Sequence, residues 1–178
     1  GFPICEDVWH PDIIARLKKM GAELIIIPNG SPYETSKLAE RQAIIKSRCK
    51  ESNLPIIYLN LVGGQDDLVF DGGSCVYDNK GTIVCQFPQF VEKNWQVILE
   101  RRKNSWVPLP HSLAKIGSRQ SQDYKAVVLG LRDYVLKSNF HKVVIGLSGG
   151  IDSALVAVMA RDALGPENVV CLALPSKF

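Results

Sequence analysis

The chain has 178 residues, 46% of them hydrophobic and 22% charged, with a formal net charge of +3. That length holds one ample core or two small domains. The charge is too mild and too scattered to argue for nucleic acid or a membrane surface as partner, and no apolar run approaches the ~20 residues of a membrane-spanning helix.

Gly1 stands where a start methionine would, beside an apolar pair, and residues 176–178 follow an apolar strand directly. Both ends are therefore expected to cut through folded structure, as in the middle of a longer polypeptide. Residues 1–9, G-F-P-I-C-E-D-V-W, run apolar to Cys5 and then turn acidic. His10-Pro11-Asp12 is a helix entry. Ile13, Ile14 and Leu17 fall on one face of a short helix over 12–20, which Gly21 ends. Residues 23–28 carry Leu24, Ile25, Ile26 and Ile27, the pattern of a fully buried strand. The loop Asn29-Gly30-Ser31-Pro32 follows at its carboxyl end, where α/β folds place ligands.

A longer helix is expected over 34–52. Leu38, Ile45 and Cys49 form its apolar stripe; Lys37, Glu40, Arg41, Lys46 and Lys50 are assigned to the solvated faces. Residues 54–61 read as a second buried strand. Residues 62–67, V-G-G-Q-D-D, read as a polar glycine loop. Short strands at 68–70 and 74–77 flank Asp71-Gly72-Gly73. Asp78-Asn79-Lys80-Gly81 is a hairpin turn, with 82–87 the returning strand. From 88 to 120 the period is lost among Pro88, Pro108, Pro110 and Gly117. A linker is expected at 104–120, so the first domain ends near 103 and the second begins near 121.

Tyr124, Val127, Val128, Leu131 and Val135 then recur at helical spacing, predicting a helix over 121–137 capped by Ser121. Residues 141–145 read as a buried strand, 151–164 as a buried helix stopped by Gly165-Pro166, and 168–174 as a further strand, parallel by its crossover. Between the first strand and its helix lie Gly146, Leu147, Ser148, Gly149, Gly150, Ile151, Asp152 and Ser153. A glycine turn entering a helix makes an anion site: backbone comes close, free N–H groups point outward, and the helix dipole adds ~0.3–1 kcal/mol. Ser148 and Ser153 can donate hydroxyls. Asp152 would repel a bare phosphate, so it is read as facing a bound cation or as a structural cap. No lysine closes the loop, so it is not G-x-x-x-x-G-K-[ST], and its glycine spacing is not G-x-G-x-x-G either.

Cys5 is the second candidate centre. A cysteine ending an apolar segment before a turn and helix resembles a nucleophile on an elbow, because a helix start favours the thiolate that attacks. Taken alone, an apolar filler is the competing reading. The five cysteines, Cys5, Cys49, Cys75, Cys85 and Cys171, contain no C-x-x-C pair. Their odd number and wide spacing point to reduced thiols and a cytoplasmic location.

The S-G-G-x-D-S pattern at 148–153 resembles the pyrophosphate-binding loop of the ATP pyrophosphatases, which cleave ATP while activating a substrate oxygen as its adenylate. Three further pieces resemble the carbon–nitrogen hydrolase (nitrilase-like) family: I-C-E-D-V-W at 4–9, P-N-G-S-P-Y-E at 28–34, and G-G-Q-D-D-L-V-F-D-G-G-S at 63–74. Together they are similar to the glutamine-dependent NAD synthetases. The resemblance implies part of an α-β-β-α sandwich at 1–103, then the first βαβ unit of a Rossmann-like ATP-binding domain at 121–178. It implies Cys5 as the nucleophile and Glu6, Ser31 and Lys37 around glutamine. It implies Gly146, Leu147, Ser148, Gly149, Gly150, Ile151, Asp152 and Ser153 around ATP, with Mg²⁺ as companion. The implied small-molecule partners are glutamine, deamido-NAD and ATP, with a homo-oligomer as the full-length state and no nucleic acid or membrane. The family's catalytic Glu and Lys precede the Cys, so both are expected before Gly1, and the isolated chain is expected to turn over neither half-reaction. No metal ligand is assigned. For Lys37 a solvated helix charge is the competing reading, and for Asp71 and Ser74 a turn role competes with a place in the glutamine pocket. A stand-alone amidase would explain Cys5 but not the 146–153 loop.

Overall fold

A computed structural model describes residues 1–103 and 105–174. Asn104, where the expected linker begins, and the residues after Leu174 lie outside the described residues. The chain divides into two compact units: Gly1–Val62 with Phe70–Ile116, and Gly63–Val69 with Gly117 onward.

In the first unit a 3-10 turn, Cys5–Trp9, leads into α1, Pro11–Lys19. Pro11 at the first helical position costs no hydrogen bond there. Gly21, at φ 95°, closes the helix by donating to Lys18 O at 2.9 Å. Then come β1, Ile25–Asn29, α2, Lys37–Ser52, and β2, Ile56–Asn60. β3 runs Val62–Gln65, β4 Leu68–Asp71, β5 Cys75–Tyr77 and β6 Ile83–Gln86. The main sheet has the order β1-β2-β5-β6. β1 and β2 are parallel, so Asn29 pairs with Asn60; β2–β5 and β5–β6 are antiparallel.

Strand alternation divides the apolar residues between the two faces of this sheet. Ile25, Ile27, Ile56, Tyr58, Cys75 and Tyr77 pack beneath Ile14 of α1 and Ile45 and Cys49 of α2. Burying one such aliphatic side chain is worth ~1.5–3 kcal/mol. Ile57, Val76, Cys85 and Phe87 form the other cluster, covered by Trp95, Val97 and Leu99. Trp95 stacks on Phe87 with ring centroids 4.8 Å apart.

Several expectations are corrected. Residues 34–36 precede the helix rather than opening it, because α2 starts at Lys37. The 62–67 segment is not a loop: β3 pairs with β4 as its own hairpin, turning at Asp66, whose φ is 52°. Two glycines hid the strand, since Gly depresses strand propensity. The aperiodic 88–120 stretch contains another antiparallel hairpin, β7 (Leu99–Arg102) with β8 (Ser105–Pro108), and its second strand lies among the residues read as linker. Its charged strand is held from two sides: Arg101 lies 5.2 Å from the ring centroid of its cross-strand neighbour Trp106, and its Nη2 donates to Glu23 Oε1, outside the hairpin, at 2.7 Å. Arg41, placed among the solvated residues, is 4% exposed.

In the second unit, α3 spans Arg119–Lys137, β9 Val143–Leu147, α4 Ile151–Leu164 and β10 Val169–Ala173. The cap of α3 is Ser118 rather than Ser121; its side chain accepts from Ser121 N. β9 and β10 are parallel, Val143 pairing with Val169. α3 and α4 bury Ala126, Leu129, Ala160 and Ala163. The expected burial of β9 and α4 is not found: Val144, Leu155 and Val156 are exposed, as is Leu172 of β10. A parallel strand pair buries its side chains only when both faces are covered. The tip of the β3–β4 hairpin belongs to this unit. Gly64 N donates to Asp133 Oδ2 at 2.7 Å, and Lys137 Nζ donates to Gly64 O at 2.5 Å. A Cβ at Gly64 would stand 3.1 Å from Gly130 Cα, so a larger residue there would have to push α3 away by a few tenths of an ångström. Among the described residues no helix is long and apolar enough to cross a membrane.

Candidate active site

Cys5 opens the 3-10 turn with φ 49°, a left-handed conformation rare for a residue with a Cβ. Such strain persists where the surroundings over-determine it, and here Asp7 does so. Asp7 N donates to Ile4 O at 3.0 Å, and Ile4 N donates back to Asp7 Oδ2 at 2.8 Å. The turn therefore lifts Cys5 onto an elbow, and the Asp7 carboxylate is spent on the backbone.

The elbow opens onto a cavity of about 330 Å³ whose lining includes Cys5, Glu6, Trp9, Asn29, Ser31 and Lys37. All four residues expected around glutamine chemistry, Cys5, Glu6, Ser31 and Lys37, thus border one space. Lys37 is neither buried nor free: its Nζ lies 5.0 Å from the Trp9 ring centroid and 3.5 Å from Glu40 Oε2. A larger cavity, about 620 Å³, opens between α1 and α2 but is lined by none of these four. That space holds no cysteine; its polar lining is Asp12, Lys18, Lys19, Arg48, Glu51 and Ser52.

Below the Ser31 loop lies a buried polar network. Asp71, fully buried at the end of β4, receives Arg41 Nη2 at 2.9 and 2.7 Å on its two oxygens and Gln89 Nε2 at 2.8 Å. Asn60 bridges from Asp71 to the Ser31 backbone. Asp71 and Ser74 do not line the Cys5 cavity, and neither sits in a hairpin turn. Ser74 Oγ accepts from Asn60 N at 3.0 Å. Trp9, Asn29, Arg41, Asn60 and Gln89 went unassigned to the site in the sequence. The one available signal was that both buried strands end on an asparagine.

The other thiols of the first unit lie in apolar surroundings. Burial pushes Cys49 and Cys75 up to about 12, and Cys85 is raised by the same cause. Cys5 is half-buried on its cavity, and Cys171 is exposed in the second unit.

In that second unit, Gly146, Ser148, Gly149, Gly150, Ile151 and Asp152 are exposed, whereas Leu147 and Ser153 are half-buried. Gly149 has φ 87° and nothing within 4 Å of where a Cβ would stand. Gly150 is the N-cap of α4 without a side-chain cap. Ser148 Oγ and Ser153 Oγ are 3.2 Å apart, and Ser153 Oγ reaches Gly150 O at 3.0 Å. The first intrahelical bond is Ala154 N to Gly150 O; Gly150 N donates to Ser148 Oγ at 3.4 Å and Ser148 N to Ser153 Oγ at 3.3 Å, so the N–H groups a helix start leaves without an intrahelical partner are those that follow Gly150. Among the described residues Asp152 caps nothing, which removes the cap reading and leaves its carboxylate available to a cation.

The elbow thiol of Cys5, the Glu6 carboxylate, Ser31 and Lys37 thus border one cavity, and the second unit carries a glycine turn that enters a helix. The chain belongs to the carbon-nitrogen hydrolase family, whose sequence model matches residues 1–110; the NAD synthase family model matches residues 123–178. The chain is similar along its whole length to the glutamine-dependent NAD(+) synthetases of Rhodobacter capsulatus, at 51% identity, and Xanthomonas campestris, at 47%. It spans about a third, 32%, of the length of each. Among solved structures it is similar to the glutamine-dependent NAD+ synthetase of Acinetobacter baumannii in complex with ADP. That match has a TM-score of 0.90 at 37% identity, over 98% of this chain and 33% of the other. A second solved synthetase, from Cytophaga hutchinsonii, matches with a TM-score of 0.68 at 26% identity over 94% of this chain and 27% of the other.

Proposed function

We propose that these residues form part of a glutamine-dependent NAD synthetase, which amidates deamido-NAD with ammonia taken from glutamine. The observation that carries the reading is the convergence of Cys5, Glu6, Ser31 and Lys37 on one cavity, in a chain that also holds the 146–153 loop. Residues 1–103 are assigned to the glutaminase part, 104–120 to the join and 121–178 to the ATP-binding part. Glu6 offers a carboxylate to the substrate ammonium, and Lys37 an ammonium to its α-carboxylate. Ser31 offers a hydroxyl and main-chain groups. Cys5 Sγ gives up its proton and attacks the side-chain amide carbon; the C–N bond breaks, that proton passes to the leaving nitrogen, which departs as ammonia, and a thioester remains. Water hydrolyses the thioester, giving glutamate and restoring the thiol.

In the second centre Gly146, Gly149 and Gly150 let the backbone come close, and the helix-start N–H groups after Gly150, with the Ser148 and Ser153 hydroxyls, grip the pyrophosphate end of ATP. Asp152 would hold the Mg²⁺ that accompanies ATP, which would offset the phosphate charge. Adenylation supplies the leaving group that a free carboxylate lacks, and ammonia then displaces AMP. Excluding bulk water keeps ammonia from becoming ammonium, which is no nucleophile. The whole enzyme is assigned to the cytoplasm as a homo-oligomer. A stand-alone amidase is disfavoured because it leaves the second unit without a role.

The test uses the full-length polypeptide. Cys5→Ala is expected to abolish glutamine-dependent synthesis while synthesis from added ammonium salt persists. Loss of both activities in a folded variant would contradict two separable centres.

A further inference from the structure

Ser31 is held in a way its own loop does not explain. Its N–H donates to Asn60 Oδ1 at 2.9 Å, and its carbonyl accepts from Asn60 Nδ2 at 3.1 Å. One side-chain amide thus pairs with both main-chain groups of Ser31, as a neighbouring strand would. The amide cannot flip without loss. Its oxygen also accepts from Asn29 Nδ2 at 3.0 Å, and its nitrogen also donates to Asp71 Oδ1 at 3.4 Å. Asn60 N is fixed in turn by Ser74 Oγ.

Asp71 is oriented by Arg41 and by Gln89 Nε2. Arg41 also extends Nη1 to Ser31 O at 3.5 Å. It lies four residues after Lys37 on α2, one helical turn on and along the same stripe. The chain of contacts therefore runs from a fully buried carboxylate, through a guanidinium and an amide, to the Ser31 loop, which borders the same cavity as Cys5. A buried ion pair is a weak source of stability, since apolar residues of equal volume do as well or better. Its retention here fits a geometric role.

We propose that Asn60, backed by Arg41 and Asp71, is a positioning residue for the amide substrate: it fixes the Ser31 main chain and hydroxyl at the distance from Cys5 that a glutamine-sized molecule requires. This rests on reading the Cys5 cavity as the glutamine site. Asn60 touches no reacting atom. Its removal frees the Ser31 loop and weakens substrate binding without altering the thiol.

In the full-length enzyme, Asn60→Ala is expected to raise KM for glutamine about tenfold, the factor that ~1.4 kcal/mol represents, with kcat changed far less. Iodoacetamide, which needs no amino-acid contacts, still alkylates Cys5 in the variant. A general loss of folding would instead lower the active fraction and leave KM alone. If Asn60→Ala loses ammonia-dependent synthesis as well, Arg41→Lys decides by the same split, since lysine keeps the charge but cannot reach both Asp71 and Ser31. An unchanged glutamine KM in the folded variant overturns the proposal. If a glutamine-like diazoketone fails to label Cys5 in the unaltered enzyme, the reading of the cavity fails instead.

Discussion

Removing the Asp71 carboxylate tests whether the buried network supports geometry rather than stability. Asp71→Ala leaves Arg41, 4% exposed, without the two short contacts at 2.9 and 2.7 Å that neutralise it. Breaking one side of a buried pair costs about 3–5 kcal/mol, a large part of a total stability of about 5–15. With a urea dependence of about 2 kcal/mol per molar, the midpoint of the first unit should fall by roughly 2 M. Tryptophan fluorescence reads that unit, because all three tryptophans of the chain, Trp9, Trp95 and Trp106, lie in it. The double replacement Arg41→Met with Asp71→Leu removes both charges. It leaves the Asn60 and Gln89 amides short of one acceptor, a cost of ~1–3 kcal/mol. Its stability should recover to within about 2 kcal/mol of the unaltered protein, while the glutamine KM stays raised. A double variant as unstable as Asp71→Ala, or one with a normal glutamine KM, would refute this reasoning.

Three further outcomes are expected. With Cys171→Ser as background, iodoacetamide near neutral pH should alkylate Cys5 well before Cys49, Cys75 or Cys85, which burial holds as neutral thiols; equal labelling of Cys49 or Cys75 in the native protein would contradict that. Cys49 and Cys75 rise from 9.0 to about 12 on folding, so the unfolded chain loses their protons first and stability should fall between pH 9 and 12, by about 1.4 kcal/mol per pH unit for each thiol. Cys49→Ala should flatten that slope in urea titrations, and an unchanged slope would count against it. Gly149→Ala places a Cβ in open space but at φ 87°, so its cost is backbone strain of about 1–2 kcal/mol at the loop; KM for ATP should rise while diazoketone labelling of Cys5 persists, and an unaltered ATP KM would separate the loop from nucleotide binding.

The parts legible in the sequence were those written in apolar period. α1, α2, β1, β2, α4 and β10 all fell within a few residues of where Ile, Leu and Val recur. The elbow and the helix-entry loop were legible because their residue types are dictated by backbone conformation and by chemistry. What stayed hidden was written in polar residues. Arg41 looks like any charge on a helix until Asp71, thirty residues on, is seen to neutralise it. β3 was masked by Gly63 and Gly64, whose small size serves a close approach to α3 that local propensity cannot register. β7 was masked by Arg101 and Arg102, because the Trp106 and Glu23 contacts that hold Arg101 are tertiary. Ser118 was passed over as the cap because Ser121 stands closer to the first apolar residue of the stripe.

The most direct measurement gives the full-length enzyme amide-¹⁵N glutamine, deamido-NAD, ATP and Mg²⁺ and follows both products. Two linked centres predict ¹⁵N in the amide of NAD with equimolar pyrophosphate, and no ¹⁵N transfer in Cys5→Ala even while added ammonia supports synthesis. Transfer of ¹⁵N from glutamine in the folded Cys5→Ala protein, or amidation without pyrophosphate release, would contradict the account.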